Sequence, residues 1–490
     1  MLLGLDVTAL YLVVPSLAVD LDPSAVETLW IMDAYGFLIA GLLITMGTLG
    51  DRIGRRRLLM IGMALFAVAS VAVAFAPTAL WLIAARALLG VAGATLMPST
   101  LSLISDMFAD PRQRASAIGV WATAFGLGMA AGPIVGGALT AALWWGAVFL
   151  IAVPAALLVL VGAPMLLPER RSPAGGLDLI SAGLSLAAML PVIYGIKHAA
   201  ASGIDLTSVA AALVGGIATV AFVRRQLRLP EPLLDVKLFT GSTFSAALSV
   251  LLIGLVGFGG AMLLVTQYLQ LVAGLSPTAA GLWMGPPALA MLVGAIGAPL
   301  LSRRISPGVV MAATLAMSLA GYALLALADI DSERAVVVGF ALVYLGLGVI
   351  AALGTDIVVG AAPRDRAGSA AALSETVQEL GVAAGVALLG SFAAAIYRDS
   401  IEVPAGLSAS AAATYSDSLA GASSLAGRIS SDALEHARTV FTTGLNIASM
   451  AAGVAIAIAS LACFVMLRHL EPLGAADGET KQAVSSYGSE

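Results

Sequence analysis

Apolar positions along this chain neither alternate with polar ones nor form narrow helical stripes. They come as long unbroken runs separated by short polar breaks. A helix that is apolar all round is buried in protein or lipid, and about 20 such residues cross the hydrocarbon core of a bilayer. Fourteen runs of that kind are predicted as spans, at roughly 1–18, 29–50, 58–76, 79–104, 115–140, 144–167, 177–199, 206–223, 243–272, 277–301, 307–328, 335–358, 367–396 and 440–467. The expected fold class is therefore all-α transmembrane.

The breaks carry the charge, and its sign alternates. With the N-terminus inside, the inner loops and tail hold Arg52, Arg55, Arg56, Arg57, Arg112, Arg114, Arg170, Arg171, Arg224, Arg225, Arg228, Lys237, Arg303, Arg304, Arg364, Arg366, Arg468 and Lys481. The outer side holds only Lys197, Arg334, Arg398, Arg428 and Arg438. Positive charge collects on the cytoplasmic side of membrane proteins, so both termini are predicted cytoplasmic. Trp30, Trp81, Trp144 and Trp145 fall at predicted outer ends as an aromatic belt. The outer loop 397–439 is Ala- and Ser-rich, with a short amphipathic helix expected near Asp432–Val440.

Composition agrees. Of 490 residues, 60% are hydrophobic and 11% charged, against about 45–50% and 25% in soluble domains. A net charge of −5 offers no basic face to nucleic acid. Three scattered histidines give no metal-ligand spacing, and the single cysteine, Cys463, excludes an intrachain disulfide. The chain opens on apolar residues without the charged leader of a signal peptide. It has no phosphate-binding G-x-x-x-x-G-K-[ST] loop, no G-x-S-x-G elbow and no H-E-x-x-H pair. Neither enzyme chemistry nor a bound cofactor is expected, and any transport must draw on an ion gradient or a partner.

The break after span 2 reads Gly47-Thr-Leu-Gly50-Asp51-Arg52-Ile-Gly54-Arg55-Arg56-Arg57. Its glycines allow a sharp turn. Asp51, at the negative end of a helix dipole, needs a cationic partner. Span 4 buries Arg86, which must face a cavity or an acid to be tolerated. In span 5, Gly128, Gly132 and Gly136 line one helix face beside Pro133 and Gly137, a pattern for close backbone packing. Span 1 reads Leu5-Asp6-Val-Thr8 and runs on to Pro15, and span 2 holds Trp30-Ile-Met-Asp33-Ala-Tyr35.

Together these segments resemble the fourteen-span drug:proton antiporter branch of the major facilitator superfamily, over nearly the whole chain and most densely in residues 5–170. The resemblance implies a bacterial inner-membrane, multi-pass exporter of lipophilic, cationic drugs, dyes or quaternary ammonium compounds. It implies alternating access driven by the proton gradient, a role for Arg86 in proton coupling, and for the 47–57 loop a role as a gate latch. Substrate, protons and membrane lipid are the expected partners, and the protein is expected to act as a monomer. Export of an endogenous lipid, siderophore or antibiotic is the alternative. An importer is disfavoured by the span-5 motif.

Repetition supports two six-span halves, 1–167 and 243–467, separated by two inserted spans at 177–223 and followed by a tail at 468–490. Gly381 and Gly385 of span 13 answer the span-5 glycines eight spans earlier, and Ser302–Pro307 is a degraded copy of the 47–57 loop. Such transporters place their site between the repeats. The candidate proton-coupling and substrate residues are Asp6, Asp33, Arg86, Glu375 and Glu379, with Asp6, Asp33 or the Glu375/Glu379 pair expected to take up the cargo's charge. Asp356 is a further buried acid near the inner end of span 12, where an interface position is as open as a functional one. Glu375 and Glu379, one helical turn apart, cannot both ionise cheaply in a low dielectric. One is expected to hold a proton, unless the pair is a satisfied contact between helices. Span 10 has no acid around Ala290 and Met291, which favours monocations over dications. Asp6 follows only one turn of helix, so either about 15–20 further residues precede it in a full span with flanks or it lies at the inner interface.

Overall fold

The computed structural model describes residues 1–108, 111–169, 178–229, 232, 234, 236–362 and 367–472. Fourteen of its helices are long and apolar enough to cross a membrane, and among the described residues there is no strand. Spans 1 to 6 are Leu2–Leu21, Ala25–Ile53, Arg55–Ala74, Ala79–Met107, Pro111–Ala142 and Ala147–Leu166. Spans 7 and 8 are Leu179–Ser202 and Leu206–Gln226. Spans 9 to 12 are Ser242–Val272, Pro277–Leu301, Pro307–Ala326 and Glu333–Gly360. Span 13 is Leu373–Ser400, in a helix that starts at Ala367, and span 14 is Ser431–Leu467. Every backbone group inside a bilayer must be bonded within its own segment, which helices do.

The packing of the first six spans recurs eight spans later. Spans 1 and 5 pack as do 9 and 13, 2 and 4 as do 10 and 12, 3 and 4 as do 11 and 12, and 3 and 6 as do 11 and 14. The two sets meet along span 2 against span 13 and span 5 against span 10. Spans 7 and 8 form a hairpin that leans on span 2 and on span 13. The hairpin leaves Leu213, Ile217 and Val220 exposed, as a lipid-facing surface requires.

Glycine makes the tightest of these contacts. A methyl group on Gly132 would strike Thr8 Oγ1, and one on Gly128 the Met1 carbonyl. Thr8 Oγ1 donates to the Met129 carbonyl at 2.9 Å, which locks span 1 to span 5. Gly137 meets Pro277 at the head of span 10, and Gly281 meets the Pro133 carbonyl. The span-5 motif thus presses on span 1 with one face and across to span 10 with another. Gly385 against Val256 and Gly381 against Leu255 repeat the first contact in spans 13 and 9. Gly132→Val should cost about 1–3 kcal/mol or more through overpacking, read as a lower melting temperature of the detergent-solubilised protein. Gly126→Ala, where an added methyl meets nothing within 4 Å, should leave that temperature unchanged.

The inserted hairpin is tied at one end by charge. Asp178 caps span 7 through the Ser181 backbone N–H at 3.0 Å, and Arg225 Nη2 of span 8 donates to Asp178 Oδ1 at 2.8 Å. The hydrogen bonds from Arg225 are the main reason the Asp178 carboxyl is held down to about 2, with those from Ser181 adding to it. Because the folded-state value is depressed, this stability is present above about pH 4. It is lost as the pH falls through about 2. Asp178→Ala should therefore cost about 1–2 kcal/mol at neutral pH, from the lost cap and pair. Thermal melts in detergent should show this difference shrinking below about pH 4.

Several expectations need correcting. Asp432–Val440 is not a separate amphipathic helix but the first part of the 37-residue helix Ser431–Leu467. The helices of the outer loop itself are Ala409–Asp417 and Leu419–Ser424. Trp81 and Trp144 are exposed as belt residues, but Trp145 is buried and donates to Asp20 Oδ2 at 2.8 Å. Trp30 lies under the Lys197 ammonium at 4.2 Å instead of facing lipid. Asp356 is exposed, not buried, because it sits in the last turns of span 12.

Candidate functional site

A small cavity of about 20 Å³ lies where spans 1, 2, 4 and 13 converge. Tyr11, Asp33, Tyr35, Arg86 and Glu379 are among its lining residues. Arg86, 1% exposed, donates through Nη1 to Asp6 Oδ2 at 2.7 Å and through Nε to the Ile31 carbonyl at 3.3 Å. Its guanidinium lies 4.6 Å from the Tyr35 ring, a distance at which the ring face attracts a cation. The Asp6 side chain is 8% exposed. It is shielded from solvent inside the bundle, where Arg86 reaches it from span 4 while span 1 packs along span 5.

Asp33 is also paired. Lys197 Nζ lies 2.7 Å from Asp33 Oδ2, with both side chains fully buried. Lys197 was expected among the outer-side cations. It instead points from span 7 into the bundle, where its charge is held by Asp33 on one side and the Trp30 ring on the other. The signal for this was in the sequence: a lysine inside an apolar run needs a partner.

Glu375 and Glu379 differ from the other acids. Both are half-buried, and among the described residues neither has a hydrogen bond or an ion pair. Glu379 lines the cavity beside Asp33 and Arg86 and lies within electrostatic reach of Glu375 and Asp6. The backbone carbonyl of Glu379 faces Gly36, where an added methyl would sit 3.7 Å away. That close approach of spans 2 and 13 is what delivers the carboxylate to the cavity. Among the described residues, Asp6 is neutralised by Arg86 and Asp33 by Lys197, which leaves Glu375 and Glu379 as the uncompensated acids of this group.

A larger cavity of about 350 Å³ lies nearer the acidic face of the molecule. Its lining includes Val14, Asp22, Glu27, Tyr397, Asp417 and Phe441. Both short helices of the loop contribute to its wall. They are held there by Tyr415 Oη donating to the Ala433 carbonyl at 2.8 Å and by Arg398 paired with Asp417 at 3.2 Å. The larger volume is here, but Glu379, half-buried and unpaired among the described residues, lines the smaller cavity, and the chemistry singles out the latter.

At the opposite, basic face, span 2 continues as helix through Ile53 and breaks only at Gly54, whose φ is +109°. A side chain on Gly54 would also collide with Glu169. Arg56 Nη1 donates to the Leu167 carbonyl at 3.0 Å and to that of Pro164 at 3.3 Å. Arg56 and Arg57 approach Glu169 at 3.6 and 3.7 Å. The loop is thereby fastened to the end of span 6, through a residue, Glu169, that the motif spacing had not singled out. A methyl group added to Gly50 would sit 2.9 Å from Arg55 Cδ, one on Gly47 would make only ordinary contact with Pro98, and Arg52 is exposed. The Asp51 side chain, for which a cationic partner was expected, lies outside the described residues, as do the side chains of Arg112, Arg114, Arg170, Arg171, Arg364 and Arg366.

Comparison with known proteins agrees with this architecture. A family model described as Major Facilitator Superfamily matches residues 1–386. The chain is 40% identical to the multidrug efflux pump LfrA of Mycolicibacterium smegmatis, over 96% of this chain and 94% of that relative. It is 34% identical to the methyl viologen resistance protein SmvA of Salmonella typhimurium, over 92% of each. A solved bacterial homologue of the human lysosomal transporter Spinster, inward-facing and unoccupied, has the same fold, with a TM-score of 0.65 at 19% identity. That likeness covers 95% of this chain and 94% of that one.

Proposed function

This chain belongs to the major facilitator superfamily, and on that premise we propose that it is a proton-coupled antiporter exporting lipophilic cations by alternating access. The observation that carries the reading is the pair Glu375 and Glu379, two half-buried carboxylates without a counter-cation among the described residues, of which Glu379 lines a cavity whose other charges are paired. A carboxylate so placed binds either a proton or an organic cation, and competition between the two is all that exchange requires. A gradient can then drive export without any cofactor.

In this reading the basic face is cytoplasmic in a bacterial inner membrane, and both termini lie there. The two six-span halves rock about the contacts of span 2 with span 13 and span 5 with span 10. The glycines 128, 132, 136 and 137, with Pro133, let span 5 slide at those contacts. The loop of Gly47, Gly50, Asp51, Arg52, Gly54, Arg55 and Arg56 latches the cytoplasmic gate. A cation enters from the cytoplasm or inner leaflet, where apolar and aromatic side chains take up its body and the Glu375/Glu379 pair its charge. It leaves through the larger cavity at the acidic face as protons from outside take its place. The Arg86–Asp6 pair fixes the charge beside Glu379 and so sets the balance between proton and cation. The substrate class is supported by the relatives, a multidrug efflux pump and a methyl viologen resistance protein. The test is ethidium efflux from expressing cells, with and without an uncoupler. Efflux should stop when the proton gradient collapses, and efflux that continues unchanged would rule out proton coupling.

A further inference from the structure

The inserted hairpin of spans 7 and 8 brings a fully buried lysine into this system. Lys197 is 1% exposed, on a hairpin whose other faces are largely apolar and exposed. It pairs with Asp33, which lines the cavity, while Lys197 itself is not among the lining residues. Structural ion pairs at such depth persist when further hydrogen bonds satisfy the rest of both groups. Here they do not: among the described residues, Lys197 is the one partner of the Asp33 carboxylate, and Asp33 and the Trp30 ring are the partners of the ammonium. A carboxylate that lines the transport cavity is thus occupied by a cation belonging to the protein itself.

We propose that Lys197 is a specificity-determining residue: as a tethered counter-cation it withdraws Asp33 from the carboxylates available to cargo and thereby disfavours organic dications. The inference rests on the export reading above. Two consequences follow from charge alone. Removing the lysine adds a carboxylate to the cavity and should favour a second positive charge on the cargo. Removing the aspartate strands an ammonium next to the cavity and should repel any cation, a defect that removal of the lysine then cures. An Asp33 that merely bound cargo directly would not be rescued in this way.

Ethidium and propidium provide the probes, since they share a ring system and differ by one added quaternary ammonium. Purified protein in proteoliposomes, at equal amounts of folded transporter, is compared as wild type, Lys197→Met, Asp33→Asn and the double variant. For Lys197→Met the ratio of propidium KM to ethidium KM should fall about tenfold, about 1.4 kcal/mol in relative affinity. Asp33→Asn should raise both KM values. The double variant should return ethidium KM to within about threefold of wild type, under 0.7 kcal/mol, without the gain in propidium. An unchanged ratio in Lys197→Met, or an Asp33→Asn defect that persists in the double variant, would overturn the proposal. If Lys197→Met does not fold, the rescue arm decides alone. Wild-type protein that moves neither dye would instead count against the export reading.

Discussion

Arg86→Ala should abolish transport and destabilise the protein by about 3–5 kcal/mol, because it leaves the Asp6 carboxylate buried without its cation. The pair is 2.7 Å apart with both side chains shielded from solvent, and among the described residues no other cation is paired with Asp6. Arg86→Lys should rescue only partly. A lysine keeps the charge, but it has no guanidinium fork to bond Asp6 and the Ile31 carbonyl together. It would also present a compact ammonium to the Tyr35 ring where the guanidinium now lies. Efflux per folded molecule, together with a melting curve, separates the two effects. The double variant Asp6→Asn/Arg86→Gln should regain most of the stability and little of the transport. A double variant that transports normally would reduce the pair to a structural contact.

Glu379→Gln should have the second largest effect, of a different kind. Glutamine keeps the shape and polarity of the side chain but can neither take up a proton nor balance a cation. Removing a group that transfers a proton costs roughly 100-fold or more in rate, and uphill efflux should fall by that order. Glu375→Gln should be the milder change, since Glu375 is not among the residues lining the small cavity. Exchange of labelled for unlabelled substrate across the membrane needs no net proton movement, so it should survive better than uphill efflux. Loss of both activities in equal proportion would mean that Glu379 serves binding alone.

The apolar runs made the number and order of spans legible because lipid imposes a length and a polarity on each span independently of its neighbours. The eight-span repeat was legible for a similar reason: the glycines at 128, 132 and 136 and at 381 and 385 mark close contacts wherever they recur. What stayed hidden was pairing across the chain. Arg86 demanded an acid, but nothing in its own segment said that the acid was Asp6. Asp33 looked available to cargo, and only the placement of the inserted hairpin brings Lys197 against it. The same placement removed Lys197 from the outer-side charges and turned Trp30 inward. Counting loop charges assigns a residue by its position in sequence, and a lysine one turn and a half from the end of a helix can point into the bundle as easily as into water. Asp356 erred in the opposite direction, since the span ends just beyond it and exposes its carboxylate.

The central claim is that a cation and a proton compete for Glu375 and Glu379 and move in opposite directions. It is tested most directly by purified protein in proteoliposomes carrying a luminal pH dye, with the membrane potential clamped. With an acidic lumen, ethidium should accumulate inside while the lumen turns alkaline, and both signals should vanish in Glu375→Gln/Glu379→Gln. Ethidium entering at the same rate without the gradient, or entering with no proton leaving, would contradict the account.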